Sequence, residues 1–138
     1  AAATLDSVAS LGIVRTRSNA LIAMAQAWPA LEAAMASPDD FIAALCELPG
    51  IGPWTAEIYL LFALRRADAF PCGDLALQLS VQRVMKLDAQ PSAAQLGDVS
   101  QRWRPWRGAA ARLLWADYAL QRSASRGPNN RGTSKKPL

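Results

Sequence analysis

The sequence has no histidine and only two cysteines among its 138 residues, and each shortage removes a body of chemistry. Without imidazole there is no Ser-His-Asp or Cys-His catalysis, and no zinc site of the kind that needs His beside Cys. Two thiols cannot hold a four-thiolate zinc or iron–sulfur centre. With no secretory signal and such sparse usage, Cys46 and Cys72 are expected to be free thiols in the reducing cytoplasm. The apolar run 58–64 is far shorter than the roughly 20 residues a bilayer crossing needs, so no membrane association is expected. The start at Ala1, without Met and without a charged region ahead of an apolar stretch, reads as a trimmed fragment.

What is present is a chain of one-domain length, with enough apolar residues for its own core. The net charge is only +4, yet Arg outnumbers Lys 12 to 3. Arg is the better residue for bidentate phosphate contacts, which makes nucleic acid a candidate partner. Part of the excess sits in 123–138, where Arg126, Arg131, Lys135 and Lys136 stand among Gly, Pro, Ser and Asn. That segment cannot bury a core and is expected to be a disordered basic tail after a helical domain over 1–122.

The expected fold class is all-α, with six or seven helices. No alternating β-branched run or Asn-Gly hairpin signal interrupts the helical periodicity. Leu5, Val8 and Leu11 begin a first helix that Gly12 stops, and Thr16 or Ser18 opens a second, which Trp28-Pro29 closes at Ala27. A short helical turn is expected around Leu31 to Met35. Ser37-Pro38-Asp39-Asp40 supplies an N-cap, a proline at N1 and first-turn acids for a helix through Leu45. Pro53 begins a nearly all-apolar helix, Trp54 to about Arg66, which should be central. A loop over 67–73 leads to a helix from Leu75 to about Leu87, headed by Asp74. Ser92 with Gln95 forms a capping box for a helix to about Trp103, and Pro105 starts the last helix, ending near Arg122.

Between two of these helices lies Leu48-Pro49-Gly50-Ile51-Gly52. Two glycines and a proline permit a tight turn whose amides point outward at a helix start, a geometry that cradles one phosphate. The same pattern also serves as a plain helix connector. Asp74 has two compatible readings as well. It is an ordinary N-cap for the helix that follows, and a helix start also favours a negative charge, as acid chemistry would require. The helix after the turn spans roughly 20 Å and the seven-residue loop reaches about 23 Å, so Asp74 can return to the turn.

Leu-Pro-Gly-Ile-Gly-x-x-Thr-Ala, with an Asp 22 residues after the second glycine, resembles the helix-hairpin-helix DNA glycosylases. Trp103-Arg104-Pro105-Trp106-Arg107, followed by Ala110 and Leu114-Trp115, looks specifically like DNA-3-methyladenine glycosylase II. The resemblance runs from about Leu5 to Arg122 and implies the carboxyl-terminal part of that fold, without its upstream helices. It implies Asp74 as the catalytic carboxylate facing the deoxyribose, with Gly50 and Gly52 giving phosphate-binding amides. Main-chain carbonyls of Cys46, Leu48 and Ile51 would hold a monovalent cation. Trp54 and Trp115 would wall the base pocket. Trp54 stands where bifunctional relatives keep a Schiff-base lysine, which implies no lyase step. Ile58 replaces a pocket Tyr, with Tyr59 one step on, which leaves the pocket's shape and preference open. No cofactor is required, and the iron–sulfur cysteines of the endonuclease III branch are absent. The implied partner is duplex DNA containing alkylated bases, bound by a monomer.

The chemistry can be argued independently. Breaking an N-glycosidic bond builds positive charge on the sugar, while a base alkylated at a ring nitrogen departs as a neutral molecule. One carboxylate at ~4 Å and an effective dielectric of ~20 is worth about 4 kcal/mol, or roughly a thousandfold in rate. Histidine is therefore dispensable. Trp28, Trp103 and Trp106 are read as core or packing residues, Glu57 and Asp117 as salt-bridge or surface residues, Arg65 and Arg66 as a solvated helix end, and Arg102, Arg104 and Arg107 as mostly solvated, with phosphate contact the alternative. The rival reading is a non-catalytic helix-hairpin-helix module that grips DNA backbone.

Overall fold

A computed structural model describes residues 4–125. Among them are seven α-helices and one 3-10 turn, with no strand: α1 Leu5–Ala9, α2 Arg15–Ala34, α3 Pro38–Cys46, α4 Pro53–Phe62, α5 Leu75–Val84, α6 Ala93–Ser100 with the 3-10 turn Gln101–Trp103, and α7 Arg107–Ser125. The all-α expectation holds.

Several starts are set by local chemistry. Ser37 Oγ accepts the Asp40 N–H, with Pro38 at N1. Ser92 and Gln95 cap one another at the head of α6. Asp74 caps α5 through the Leu77 N–H.

Several boundaries differ from expectation: α5 ends at Val84 and not near Leu87, the last helix begins at Arg107 and not at Pro105, and three others change more of the chain. α2 runs unbroken through Pro29 to Ala34. The ring removes one helical hydrogen bond, but Ala25 and Pro29 lie on an exposed face where water can serve the freed carbonyl. α4 ends at Phe62, four residues early, in a widened turn with Leu64 N–H to Tyr59 C=O, Arg66 N–H to Leu60 C=O and Arg65 left-handed at φ 53°. α7 continues to Ser125, so 123–125 are helical rather than part of a disordered tail. The rest of that expected tail lies outside the described residues.

The core is one cluster: Leu31 of α2, Phe41 and Leu45 of α3, Ala56, Leu60 and Leu61 of α4, Leu77 and Val81 of α5, Leu96 of α6, and Ala111 and Leu114 of α7, with Phe70 of the α4–α5 loop. α4 is central as expected, yet it leaves Trp54 and Phe62 about half exposed, at 47% and 48%. α5 and α7 are tied by the buried Ser80 Oγ donating to the Leu114 carbonyl at 2.9 Å, and by the Arg83–Asp117 ion pair. Asp117 is thus the ion-paired residue expected, and the Arg83 hydrogen bond holds its carboxyl below the usual range. Trp103 packs on Phe70 at 5.7 Å between ring centroids. Trp28 and Trp106 do not enter the core. They are exposed by 38% and 66%.

Candidate active site

The turn between α3 and α4 has the form its glycines demand. Gly50 is left-handed, at φ +78°, a conformation that strains any residue with a Cβ. Gly52 is the N-cap of α4 with no atom within 4 Å of where its Cβ would stand, and no side chain caps the helix. Pro53 has no N–H to orphan. The amides of Trp54 and Thr55 therefore open the helix without a capping side chain, on a surface that a large anion can reach.

Trp54 joins this turn to the acid. Its indole Nε1 donates to Asp74 Oδ2 at 2.9 Å. The Trp115 Nε1 donates to Asp74 Oδ1 at 3.0 Å, and the Leu77 N–H donates to the same oxygen at 3.0 Å. Asp74 thus lies at the turn as well as at the head of α5, and a Cβ on neighbouring Gly73 would sit 3.8 Å from Trp54 Cβ. Of the roughly four lone-pair positions of a carboxylate, three are engaged by N–H donors, which leaves one on Oδ2. The cap of α5 and the two indole contacts are made by one carboxylate in one geometry.

Ile58 is one turn along α4 from Trp54 and half-buried. Phe62 follows a further turn on, so Trp54, Ile58 and Phe62 occupy a single i, i+4, i+8 stripe. Phe62 stacks on Trp115 with ring centroids 5.8 Å apart, and the Arg112 guanidinium lies 4.9 Å over the Phe62 ring. Phe62 and Arg112 were not singled out from the sequence. The stripe spacing was the available signal for Phe62, and Arg112 had none. The carbonyls of Cys46, Leu48 and Ile51 border the turn, where Leu48 C=O accepts the Ile51 N–H at 3.2 Å. Both cysteines are free and partly buried.

A separate cavity of about 600 Å³ is lined by Glu57, Asp39, Arg66, Asp68, Arg104 and Arg107 together with apolar side chains, and by none of Trp54, Ile58, Asp74 or Trp115. Two expectations fail here. Arg107 is not a solvated cation: it grips Asp68 with Nε and Nη2 at 2.8 and 3.0 Å, while Arg104, which stays exposed, adds a contact at 3.0 Å. Burial works against the charge on Asp68, but Arg107 and Arg104 overcome it and hold the carboxyl below its ordinary range. Gly108 seals the same joint, its N–H donating to the Ala67 carbonyl at 2.8 Å. Glu57 is half-buried, and among the described residues it has no ion pair. Burial pushes its carboxyl up to about 7, against smaller opposing effects of the Cys72 amide and Arg107. Burial, and then the Glu57 charge, push the Cys72 thiol up in turn.

Comparison with known proteins gives the arrangement its context. No protein-family model matches the chain. It is 46% identical over 71 residues to a probable bifunctional transcriptional activator/DNA repair enzyme AlkA of Mycobacterium tuberculosis, covering 51% of this chain and 14% of that protein. It is 34% identical over 120 residues to DNA-3-methyladenine glycosylase 2 of Escherichia coli, covering 83% of this chain and 39% of that protein. Its fold matches a 3-methyladenine DNA glycosylase of Schizosaccharomyces pombe, solved in complex with abasic DNA, at a TM-score of 0.68 and 28% identity over 82% of this chain and 58% of that one. The chain therefore spans well under half the length of these curated relatives. Among the described residues no helix is long and apolar enough to cross a membrane.

Proposed function

We propose that this chain, related in sequence and fold to the carboxyl-terminal part of the helix-hairpin-helix DNA glycosylases, is the part of a base-excision glycosylase that anchors the strand and releases alkylated purines of the 3-methyladenine type. One observation carries the reading. The Asp74 carboxylate is held by the indole N–H groups of Trp54 and Trp115, and Trp54 itself stands in the first turn of the helix that opens at Gly52. Acid, flat aromatic surface and phosphate anchor are thereby one unit.

In this reading the amides following Gly50 and Gly52 take a backbone phosphate, aided by the α4 dipole. A base turned out of the duplex lies against Trp54, Ile58 and Trp115, where stacking contributes about 1–3 kcal/mol per base. The C1′–N bond breaks with its electron pair leaving on the base, which departs neutral because it is already alkylated. Positive charge grows on the sugar, and Asp74 stabilises it. The free lone pair of Oδ2 aligns the water that adds to C1′, and its proton passes to the carboxylate or to solvent. Trp54 offers no amine for a Schiff base, so the chemistry stops at hydrolysis. The carbonyls of Cys46, Leu48 and Ile51 are neutral oxygen donors suited to a monovalent cation that would stiffen the turn, and Leu48 keeps a second lone pair for it. We place the protein in the cytoplasm, acting as a monomer.

The test is release of 3-methyladenine from methylated duplex DNA. Asp74→Asn should slow release roughly a thousandfold, corresponding to about 4 kcal/mol, with folding and duplex binding kept. Asn still caps a helix well, so the loss reports charge rather than fold. No release by the intact parent protein that contains this chain, with salt-sensitive binding that bulk at Gly52 weakens, would instead favour the non-catalytic backbone-binding module.

A further inference from the structure

We propose that a recess at the far end of the Trp54–Ile58–Phe62 stripe takes an unstacked nucleotide of single-stranded DNA, its phosphate paired with Arg65 and Arg112 and its base laid on the exposed indole of Trp106. The inference rests on the DNA-acting function proposed above and deepens it, since a strand that turns one base out must also place the nucleotides beside it. The recess has a volume of about 540 Å³ and lies between the end of α4 and the start of α7, with Phe62, Arg65 and Arg66 from the first and Trp106, Ala109 and Arg112 from the second. One nucleotide fits a space of that size. None of Trp54, Ile58, Asp74 or Trp115 lines it.

The charge there has one sign. Three arginines line the recess and no carboxylate does. Arg66 gives Nη2 to the Met35 carbonyl at 2.8 Å, but Arg65 and Arg112 are exposed, and among the described residues their guanidinium groups have no ion pair and no hydrogen-bond acceptor. Asp68, which follows Ala67 in the chain, is taken by Arg104 and Arg107. A ring holds Arg112 in place of an anion: its guanidinium carbon lies 4.9 Å over Phe62, which fixes the group while its N–H edges stay free for a phosphate. Arg65 stands in the widened turn at φ 53°, a left-handed conformation that is costly for a residue with a Cβ.

The aromatic surface decides which form of nucleic acid fits. Trp106 is 66% exposed, so an open indole lies beside two unpaired cations. That combination binds single strands without regard to sequence, because every base has a face to stack and every linkage carries a charge. A closed duplex hides those faces. Phe62 joins the recess to the proposed base site, since its ring meets Arg112 and also stacks on Trp115, whose Nε1 donates to Asp74. Successive nucleotides of one strand can therefore occupy the two places.

The test is fluorescence anisotropy of a short labelled oligothymidylate with the intact parent protein that contains this chain, repeated over a range of salt concentrations. Oligothymidylate brings no purine to the Asp74 site. Arg65→Gln combined with Arg112→Gln should weaken binding about tenfold or more and reduce the slope of log affinity against log salt by about 1.4. Trp106→Ala should weaken binding about fivefold or more with the slope unchanged. Arg122→Gln removes a charge nearly three turns further along α7 and should change neither. No binding by the wild type, an unchanged slope in the double variant, a comparable fall per charge in Arg122→Gln, or tighter binding of oligouridylate than of oligothymidylate would each overturn the proposal. If the slope falls as stated while Asp74→Asn releases alkylated base normally, the catalytic reading fails and the recess stands; if Asp74→Asn abolishes release while the slope is unchanged, the recess fails alone.

Discussion

Asp74 and Glu57 both lie against α4, one bonded to its first turn and the other a turn further on, yet their surroundings differ in kind. Asp74 is half-buried and takes every hydrogen bond from a neutral N–H donor. Glu57 sits in a cleft lined by Arg66, which donates to the Met35 carbonyl, and by Arg104 and Arg107, which pair with Asp68, and burial dominates its ionisation. A perturbed ionisation is a frequent mark of a functional acid. Here Glu57 carries such a mark, whereas Asp74 is set apart by the two indole N–H groups that meet its carboxylate.

The largest effect on stability should come from breaking the second region. Gly108→Ala would put a Cβ 2.6 Å from Leu61 Cδ1 and 2.7 Å from the Ala67 carbonyl oxygen. A loss of about 1–3 kcal/mol in urea unfolding is expected. If the two regions are distinct, the Trp54 and Trp115 indole N–H NMR signals survive in the folded fraction.

A smaller and signed effect sharpens the contrast. The folded-state carboxyl of Glu57 titrates at about 7 rather than 4.5, so its contribution to stability is complete below about pH 4.5 and is lost as pH rises through about 7. Glu57→Gln should therefore gain on the wild type between pH 5 and pH 8, by about 1–2 kcal/mol once partial solvent exposure is allowed for. The check is paired denaturant melts at the two pH values.

Much of the fold was legible because several helix starts carry their own caps. Ser37-Pro38, Pro53, Asp74 and Ser92 with Gln95 each marked an N-terminus that the structure contains. Pro29 misled because proline is costly in a helix only where the freed carbonyl lacks water, and exposure is a tertiary property. The early end of α4 was hidden for a similar reason, since apolar residues continue past Phe62 while the chain turns through left-handed Arg65. At the site, spacing could give Asp74 as a cap but could not bring it to Trp54 and Trp115, 20 and 41 positions away. Nor could charge patterning distinguish solvated arginines from Arg107 gripping Asp68 across 39 positions.

The central claim is that the two indoles hold the Asp74 carboxylate where positive charge develops on the sugar, and Trp115→Phe tests it most directly. Phenylalanine keeps an aromatic ring against Phe62 and removes the N–H that reaches Oδ1, along with part of the flat surface of the indole. A hydrogen bond to a charged group is worth about 1.5 kcal/mol or more, so single-turnover base release should fall about tenfold or further, with duplex binding unchanged. Release at the wild-type rate would contradict the account.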